Sequence, residues 1–356
     1  MPLTEIRKKI DAVDARLLEL LNQRADLVHE VGEIKRQTGG PIFAPDREER
    51  LLRSLTERNA ELGGRLPARS IRAIYREIMS ASYALEKGLK IAYLGPAGTY
   101  THEAARQKFG ASVEYEPQEN IAEVFKAVAR GTVDFGVVPI ENSTEGTVTF
   151  TLDEFVHSDL RICAQWLLRI EQNLLANCPR EEIRKIYSHP QSLAQCRQWL
   201  RNHFPGVELV ESASNTRAAQ RASEEPGTAA IAGRTAAELY NLPILEAGIQ
   251  DCPNNTTRFL IIGPETCPPT GHDKTSILFS VSNESGTLFA ALEPLQRLGI
   301  SMSKIESRPS KRRAWEYLFF VDVQGHATDP NLSTALAELK ERTTSFKILG
   351  SYPEVS

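Results

Sequence analysis

The chain has 356 residues, 41% hydrophobic and 25% charged, with a formal net charge of −4. The length exceeds one typical core and predicts two or three domains, the composition is that of an ordinary soluble globular protein, and the slight acidity sets nucleic acid aside as the default partner. No run is long and apolar enough to span a membrane, and the opening MPLTEIRKKIDAVD lacks the apolar stretch of a secretory leader. The cysteines, Cys163, Cys178, Cys196, Cys252 and Cys267, form no CxxC pair and no metal-ligand spacing. They read as reduced thiols, so a cytoplasmic protein without a metal is expected.

From Thr4 to about Gln37, apolar residues recur at helical spacing, among them Ile6, Ile10, Val13, Leu17, Leu20, Leu27, Val31 and Ile34. Thr4 suits the N-cap, and Gly39-Gly40-Pro41 stops the run. Some ~34 helical residues extend about 50 Å, and a helix of that length needs a partner along it. Further helices are predicted from Pro45-Asp46 to about Leu62 and from Pro67 to about Lys87. Helices so unequal close poorly as a monomer, so an intertwined homodimer or higher homo-oligomer is expected.

After Gly88 the pattern changes. Short β-rich runs at 90–94, 135–139, 183–187, 207–210, 229–232 and 257–262 alternate with helical stretches at 100–109, 121–130, 192–203 and 216–224. The alternation predicts an α/β fold with a mostly parallel sheet. Residues 167–177 are expected to carry the chain from one sheet into another, giving two lobes with a ligand cleft between them. ETCPPTGHDK at 265–274 reads as a linker. The remainder reads β-α-β-β-α-β (274–281, 286–298, 300–307, 315–323, 331–342, 346–350), the ferredoxin-like order.

Candidate site residues fall in each part. Arg24 and Lys35 are separated by about three helical turns and point the same way to within ~20°, with Val28 and Val31 between them. Cations at the two ends of an apolar floor suit a small rigid dianion. Arg7 is rotated by roughly 100° from Arg24 and lies more than four turns away, which keeps it from the same pocket in its own chain but would let it enter a partner's pocket in an antiparallel dimer. Arg47 and Glu48 open the second helix, and Ser82 and Glu86 share a face of the third. This pattern (IRKKID, LLNQR, VGEIK, PDREE, SIRAIYREIMSAS) resembles the all-helical chorismate mutases. The resemblance implies that Arg7 from the other subunit, Arg24, Lys35 and Arg47 bind the carboxylates and ether oxygen of chorismate. It also implies that Glu48 takes the ring hydroxyl while Ser82 and Glu86 close the pocket. Arg24, Lys35 and Glu86 are then the catalytic groups. The rearrangement needs no nucleophile, only a dianion held in a chair-like conformer. The sequence departs from some relatives in having Ala44 in place of Asp, and Glu86 in place of Gln.

GPAGTYTHEAA, VPIENSTEG, SHPQSLAQC and NNTTRF each follow or open a predicted strand, where α/β sheets collect ligands. Together they resemble prephenate dehydratase. The resemblance implies Thr257 as the catalytic residue, Arg258 binding a substrate carboxylate, Phe259 packing behind them, Glu141, Asn142, Ser143 and Thr144 on the opposite wall, and Thr99 at an anion-binding turn. Finally, Gly286-Thr287-Leu288-Phe289 and Glu306-Ser307-Arg308-Pro309 resemble the loops of the ACT amino-acid-binding domain, implying L-phenylalanine as effector bound near Gly286, Thr287, Leu288, Glu306, Ser307 and Arg308.

The resemblance as a whole is to the bifunctional chorismate mutase–prephenate dehydratases of phenylalanine biosynthesis, over nearly the full length. It implies an all-α domain (1–88), a two-lobed, periplasmic-binding-protein-like α/β domain (90–265) and a ferredoxin-like α+β ACT domain (274–356). It implies chorismate and prephenate as substrates, no cofactor, and neither nucleic acid nor membrane as partner.

Overall fold

The computed structural model describes residues 2–39, 41–310 and 316–354. It divides into two compact units, residues 1–90 with 109–114, and residues 91–108 with 115–356. Trp315, expected to open a strand, lies outside the described residues.

In the first unit the long helix is α1 (Leu3–Thr38), followed by α2 (Pro45–Glu61) and α3 (Ala68–Glu86). Helix α1 begins one residue before the expected cap: Pro2 occupies the N-cap and Thr4 lies inside the first turn. Gly39 ends it in the left-handed conformation (φ 76°), its N–H bonded to the Lys35 carbonyl. The stripe facing the other helices runs Arg24, Val28, Gly32, Lys35, with Gly32 the one fully buried residue of α1. A Cβ at Gly32 would stand 3.3 Å from Glu86 Cγ, so glycine here lets α3 come close. Away from this stripe α1 is apolar and bare: Val13, Leu17, Leu18 and Leu20 are all more than half exposed.

The second unit opens with β1 (Lys90–Leu94), α4 (Tyr100–Phe109), β2 (Glu114–Gln118), α5 (Ile121–Ala129), β3 (Phe135–Asn142), β4 (Gly146–Thr147), α6 (Thr149–His157) and β5 (Arg161–Arg169). The chain then enters a second lobe through β6 (Asn173–Ala176), β7 (Lys185–Ser188), α7 (Pro190–Gln195), α8 (Arg197–His203), β8 (Glu208–Glu211), α9 (Asn215–Glu224), β9 (Thr228–Ala232), α10 (Arg234–Leu239) and β10 (Ile244–Glu246), and returns in β11 (Thr256–Gly263). The first-lobe sheet runs β2-β1-β3-β11-β5, and the second β10-β6-β9-β7-β8. The switch of sheets expected at 167–177 therefore falls between β5 and β6. The predicted helix at 192–203 is two, broken at Cys196.

The sheets are mixed, which corrects the expectation of mostly parallel pairing. β1 pairs parallel with β3, but β11 runs antiparallel to both β3 and β5. The physical reason is the chain path: β11 comes back from the other lobe and enters the sheet from the opposite end.

The last 80 or so residues form β12 (Asp273–Ser280), α11 (Thr287–Arg297), β13 (Met302–Pro309), β14 (Tyr317–Gln324), α12 (Pro330–Glu341) and β15 (Ser345–Pro353), in the sheet order β13-β14-β12-β15. This is the ferredoxin-like arrangement. One face of the sheet (Ile277, Phe279, Val321, Val323) is covered by Leu295, Leu332 and Leu336 from its helices. The other face puts Leu278, Phe320, Leu349 and Tyr352 into one core with Ile162, Leu260 and Ile262 of the first lobe. A fully buried side chain of that size contributes roughly 1.5–3 kcal/mol, so the two sheets are joined by packing as well as by the linker.

Candidate active sites

In the helical unit, two residues of the α1 stripe reach α3. Arg24 Nη1 donates to Ser82 Oγ at 2.6 Å, and Lys35 Nζ pairs with Glu86 Oε2 at 2.9 Å. Glu48, buried on α2, accepts from the Tyr83 hydroxyl. Burial, and then Glu48 beside it, pushes the Tyr83 phenol well above its ordinary pKa, so Tyr83 stays a donor. Arg47 is exposed. Arg7 is exposed and, at seventeen residues from Arg24, about 26 Å along the helix.

A cavity of about 450 Å³ lies between the two lobes of the α/β unit. From the first lobe it takes Gly98, Thr99, Tyr100, Asn142, Thr257 and Phe259; from the second His189, Ser192, Ser214, Asn215 and Gly233; and from the crossover Ile170 and Gln172. Among the described residues, its lining contains no Lys, Arg, Asp or Glu. Instead, neutral amides and hydroxyls are linked across it. Asn142 Nδ2 donates to Thr257 Oγ1 (2.8 Å) and Asn255 Oδ1 (2.7 Å), Asn255 Nδ2 to Gln195 Oε1 (3.1 Å), and Gln172 Nε2 to Gln195 Oε1 (3.2 Å) and Ser192 Oγ (3.1 Å). Asn215 Nδ2 closes the chain on Ser192 Oγ at 2.9 Å.

The orientation of Asn142 is set by its own turn. Its Oδ1 accepts from Thr144 N (3.0 Å), Glu145 N (3.1 Å) and Thr144 Oγ1 (2.6 Å), which leaves only the NH₂ to face Thr257. Thr257 Oγ1 is thus an acceptor from Asn142, and its own hydrogen has no acceptor among the described residues. Thr257 lines the cavity, so that hydrogen is available to whatever occupies it.

Helices α4 and α9 begin at the cavity wall. Thr99 is the cap of α4, accepting from His102 N (3.3 Å) while donating to Leu94 O (3.0 Å). The Gly98 N–H is already taken by His102 Nδ1 at 3.0 Å. Ser214 caps α9 through Arg217 N. Among the described residues, the first-turn N–H groups of Tyr100, Thr101, Asn215 and Thr216 have no protein partner, and the buried Thr216 hydroxyl has none either. Gly98 (φ 89°) is where the lobes come close: a Cβ there would stand 3.2 Å from Thr216 Cγ2.

Three family models match in order along the chain: chorismate mutase type II at residues 6–87, prephenate dehydratase at 91–267 and ACT domain at 275–341. A bifunctional chorismate mutase/prephenate dehydratase from Aquifex aeolicus is 46% identical, over 99% of this chain and 98% of its own. The chain belongs to the bifunctional chorismate mutase/prephenate dehydratase family. Its reactions are chorismate to prephenate, and prephenate to phenylpyruvate with loss of CO₂ and water, in phenylalanine biosynthesis. Among solved structures, a prephenate dehydratase from Arthrobacter aurescens in complex with L-Phe is 33% identical, with a TM-score of 0.70 over 75% of this chain and 90% of that one. A protein described as a novel type of quorum quenching acylase is 31% identical, also with a TM-score of 0.70, over 75% and 98%.

Several expected dehydratase residues stand elsewhere than the sequence implied. Arg258 does not line the cavity: it follows Thr257 on a strand, so its side chain points to the opposite face. There its guanidinium donates to Glu141 Oε1 (3.1 Å), Asp322 Oδ2 (2.6 Å) and the Tyr352 hydroxyl (2.7 Å). Burial would lower the Arg258 pKa, but its neighbours outweigh it and the pKa is raised. Tyr352, itself pushed up by burial, remains a neutral phenol, so Asp322 and then Glu141 are the charges that hold the guanidinium. Glu141 likewise faces away from the cavity. Burial would raise its pKa, yet Lys304 and then Arg258 hold it below the usual range. Ser143 ties the turn to β11 through Thr256 N and Asn254 O, and Thr144 orients Asn142, so of the four residues expected on the opposite wall only Asn142 lines the cavity, on the same wall as Thr257. Phe259 forms its floor.

In the ACT region, the Gly286 and ESRP segments lie at the same end of the sheet, where Ser280 and Arg308 are both register neighbours of Leu318. Gly286 (φ 84°) precedes α11, and Thr287 Oγ1 bonds to Ser282 O (2.7 Å) and Glu284 O (2.9 Å). Leu288 packs towards the domain core, whereas Phe289 is 78% exposed. Ser307 is exposed, while Glu306 accepts from Thr147 Oγ1 at 2.9 Å and Arg308 Nη2 contacts both Asp153 oxygens at 3.1 and 3.2 Å. Tyr83, Gly32, Gln172, Gln195, Asp322 and Tyr352 were not singled out from the sequence. Of these, Gly32, a glycine inside a helical period, and Gln195, inside SHPQSLAQC, carried a local signal.

Proposed function

We propose that dehydration takes place in the inter-lobe cavity, with Thr257 donating its hydroxyl hydrogen to the ring hydroxyl that leaves prephenate. The single observation behind this is the Asn142–Thr257 bond: the amide donates, so the threonine hydrogen is free for the substrate. As the bond to the ring carboxylate breaks, its electron pair enters the ring and displaces hydroxide, and aromatisation supplies the driving force. A hydrogen bond that strengthens as charge develops on the departing oxygen is the contribution needed from the protein. With no Lys or Arg among the described lining residues, the substrate carboxylates are met by the unpaired first-turn N–H groups of α4 and α9. The lining shows no hydroxyl hydrogen-bonded to an imidazole, so the nucleophile–base pair of acyl transfer is missing among the described residues.

In the helical unit, Arg24 and Lys35 are assigned to the chorismate carboxylates and ether oxygen, with Glu48, Ser82 and Glu86 around them and Arg47 at the rim. Arg7 enters from a second chain, supported by the apolar length of α1 left exposed. We assign L-phenylalanine as effector at the Gly286–Glu306 end of the ACT sheet, supported by the Arthrobacter relative, and the cytoplasm as location. No helix among the described residues is long and apolar enough to cross a membrane.

The test is to supply chorismate to the purified protein and follow phenylpyruvate. Thr257→Val should stop the reaction at prephenate. Asn142→Asp, whose carboxylate would capture the threonine hydrogen, should lower dehydration by roughly 10²-fold. Mutase turnover should persist in both. Near-normal dehydratase turnover in Thr257→Val would remove that residue from the mechanism.

A further inference from the structure

Thr257 stands opposite Asn142 across β11 and β3, and the next cross-strand pair is Arg258 opposite Glu141. Beyond it Phe259 stands opposite Pro139, so Ile140 is an extra, bulged residue. Bulges re-aim side chains and recur beside active sites. Strand alternation sends the first pair to the cavity and the second to the back of the sheet.

The back pair is gripped at both ends by the ACT sheet. Asp322 on β14 takes Arg258 Nη1 at 2.6 Å, and Lys304 on β13 ion-pairs with Glu141. Asp322 and Lys304 are themselves cross-strand partners. The four charges therefore form a closed ring: Arg258, Glu141, Lys304 and Asp322 follow one another by ion pair, ion pair, sheet register and ion pair. Ser276 Oγ, 2.5 Å from the second Asp322 oxygen and 2.6 Å from the Tyr352 hydroxyl, fixes the remaining direction. Arg258 and Asp322 are each less than a tenth exposed. In such low-dielectric surroundings charged hydrogen bonds are stiff.

We infer that Asp322 and Lys304 are positioning residues of the dehydratase reaction, acting from the ACT sheet through Arg258 and Glu141 to hold the Asn142–Thr257 pair in register. Neither touches the cavity. Their effect passes along one peptide on each strand, from Arg258 to Thr257 and from Glu141 to Asn142. Without Asp322 the guanidinium has only Glu141 to pair with. Without Lys304 Glu141 swings towards Arg258, and the first lobe's two strands relax together. A displacement on the order of 1 Å at a reacting group lowers turnover by up to about 10²-fold.

The inference rests on Thr257 as the reacting residue, so Thr257→Val is included in the experiment. Full-length Asp322→Asn, Lys304→Met and Lys304→Arg are assayed with prephenate for dehydration and with chorismate for the mutase. Asp322→Asn and Lys304→Met should lower dehydratase kcat roughly tenfold or more, with KM within about twofold and mutase kcat unchanged, and Lys304→Arg should recover most of the loss. Asp322→Asn leaves a buried guanidinium short of a counter-charge; should it not fold, Lys304→Met against Lys304→Arg decides. Full kcat in Lys304→Met, a change in KM alone, or equal impairment of both Lys304 variants overturns the inference. An active Thr257→Val overturns the site assignment instead, whatever the Lys304 variants do.

Discussion

At His102 the ring nitrogen Nδ1 accepts the Gly98 N–H at 3.0 Å, and the ring lies 4.6 Å from that of Tyr93, nearly parallel. Burial, and then Arg106, lowers its pKa from 6.5 to about 4. Protonation would put a second donor against the Gly98 donor and release the turn that lines the cavity. Because the folded pKa lies below the unfolded one, the stability linked to this residue is complete above about pH 6.5 and is lost as pH falls from there towards 4. The midpoint of thermal dehydratase inactivation should therefore drop by roughly 2–4 °C more between pH 7 and pH 5 in the parent protein than in His102→Gln, and equal drops would separate the turn from the imidazole. The neighbouring residues also mark what a sequence can disclose. The place of Thr257 on the cavity wall was legible because its motif is distinctive. The displacement of Arg258 to the back of the sheet was equally present, in the alternation of a strand, but recognising a motif as a unit hid it. Asp322 was not legible: it joins the site across 64 residues, through a register that only folding defines.

Among the elements, α1 was the most readable, its ends falling within a residue or two of the periodic pattern. Helix periodicity is local, and so is the left-handed glycine that ends the helix. Strand direction is not local. β3 and β11 were both recognisable as apolar runs, yet their antiparallel pairing depends on where the chain returns from the second lobe. What α1 leaves unexplained in one chain is its apolar side. Leu17 is 54% exposed and Val13 62%, whereas a solvent-facing helix surface is normally polar. If that side is covered by a second chain, Leu17→Lys buries an ammonium in the interface; if it faces water, the substitution is worth within about 0.5 kcal/mol. The variant should elute at lower mass than the parent by size exclusion with light scattering and lose most mutase activity, while dehydration persists. An unchanged mass and an active mutase would mean that α1 acts alone.

For the whole molecule, the ACT sheet meets the catalytic lobe through its apolar face and the Asp322–Arg258 pair, and also along a polar line of β13. Lys304, Glu306 and Arg308 alternate onto the same face and meet Glu141, Thr147 and Asp153, in that order, along 13 residues that carry the Asn142 turn. An effector seated near Gly286 and Glu306 cannot alter catalysis by affinity alone; it must prefer one arrangement of these contacts over another. Binding and coupling are then separable. L-phenylalanine should inhibit dehydration in the parent protein and raise its thermal midpoint, since ligand at about 100 times Kd stabilises by about 2.7 kcal/mol. Thr147→Val removes the hydroxyl that Glu306 accepts and leaves the ACT sheet itself intact. It should keep the thermal shift with phenylalanine and lose much of the inhibition. Loss of both together would place Thr147 in the binding site rather than in the connection. A parent protein that neither shifts nor slows with saturating phenylalanine would show that this sheet holds the catalytic lobe without sensing that ligand.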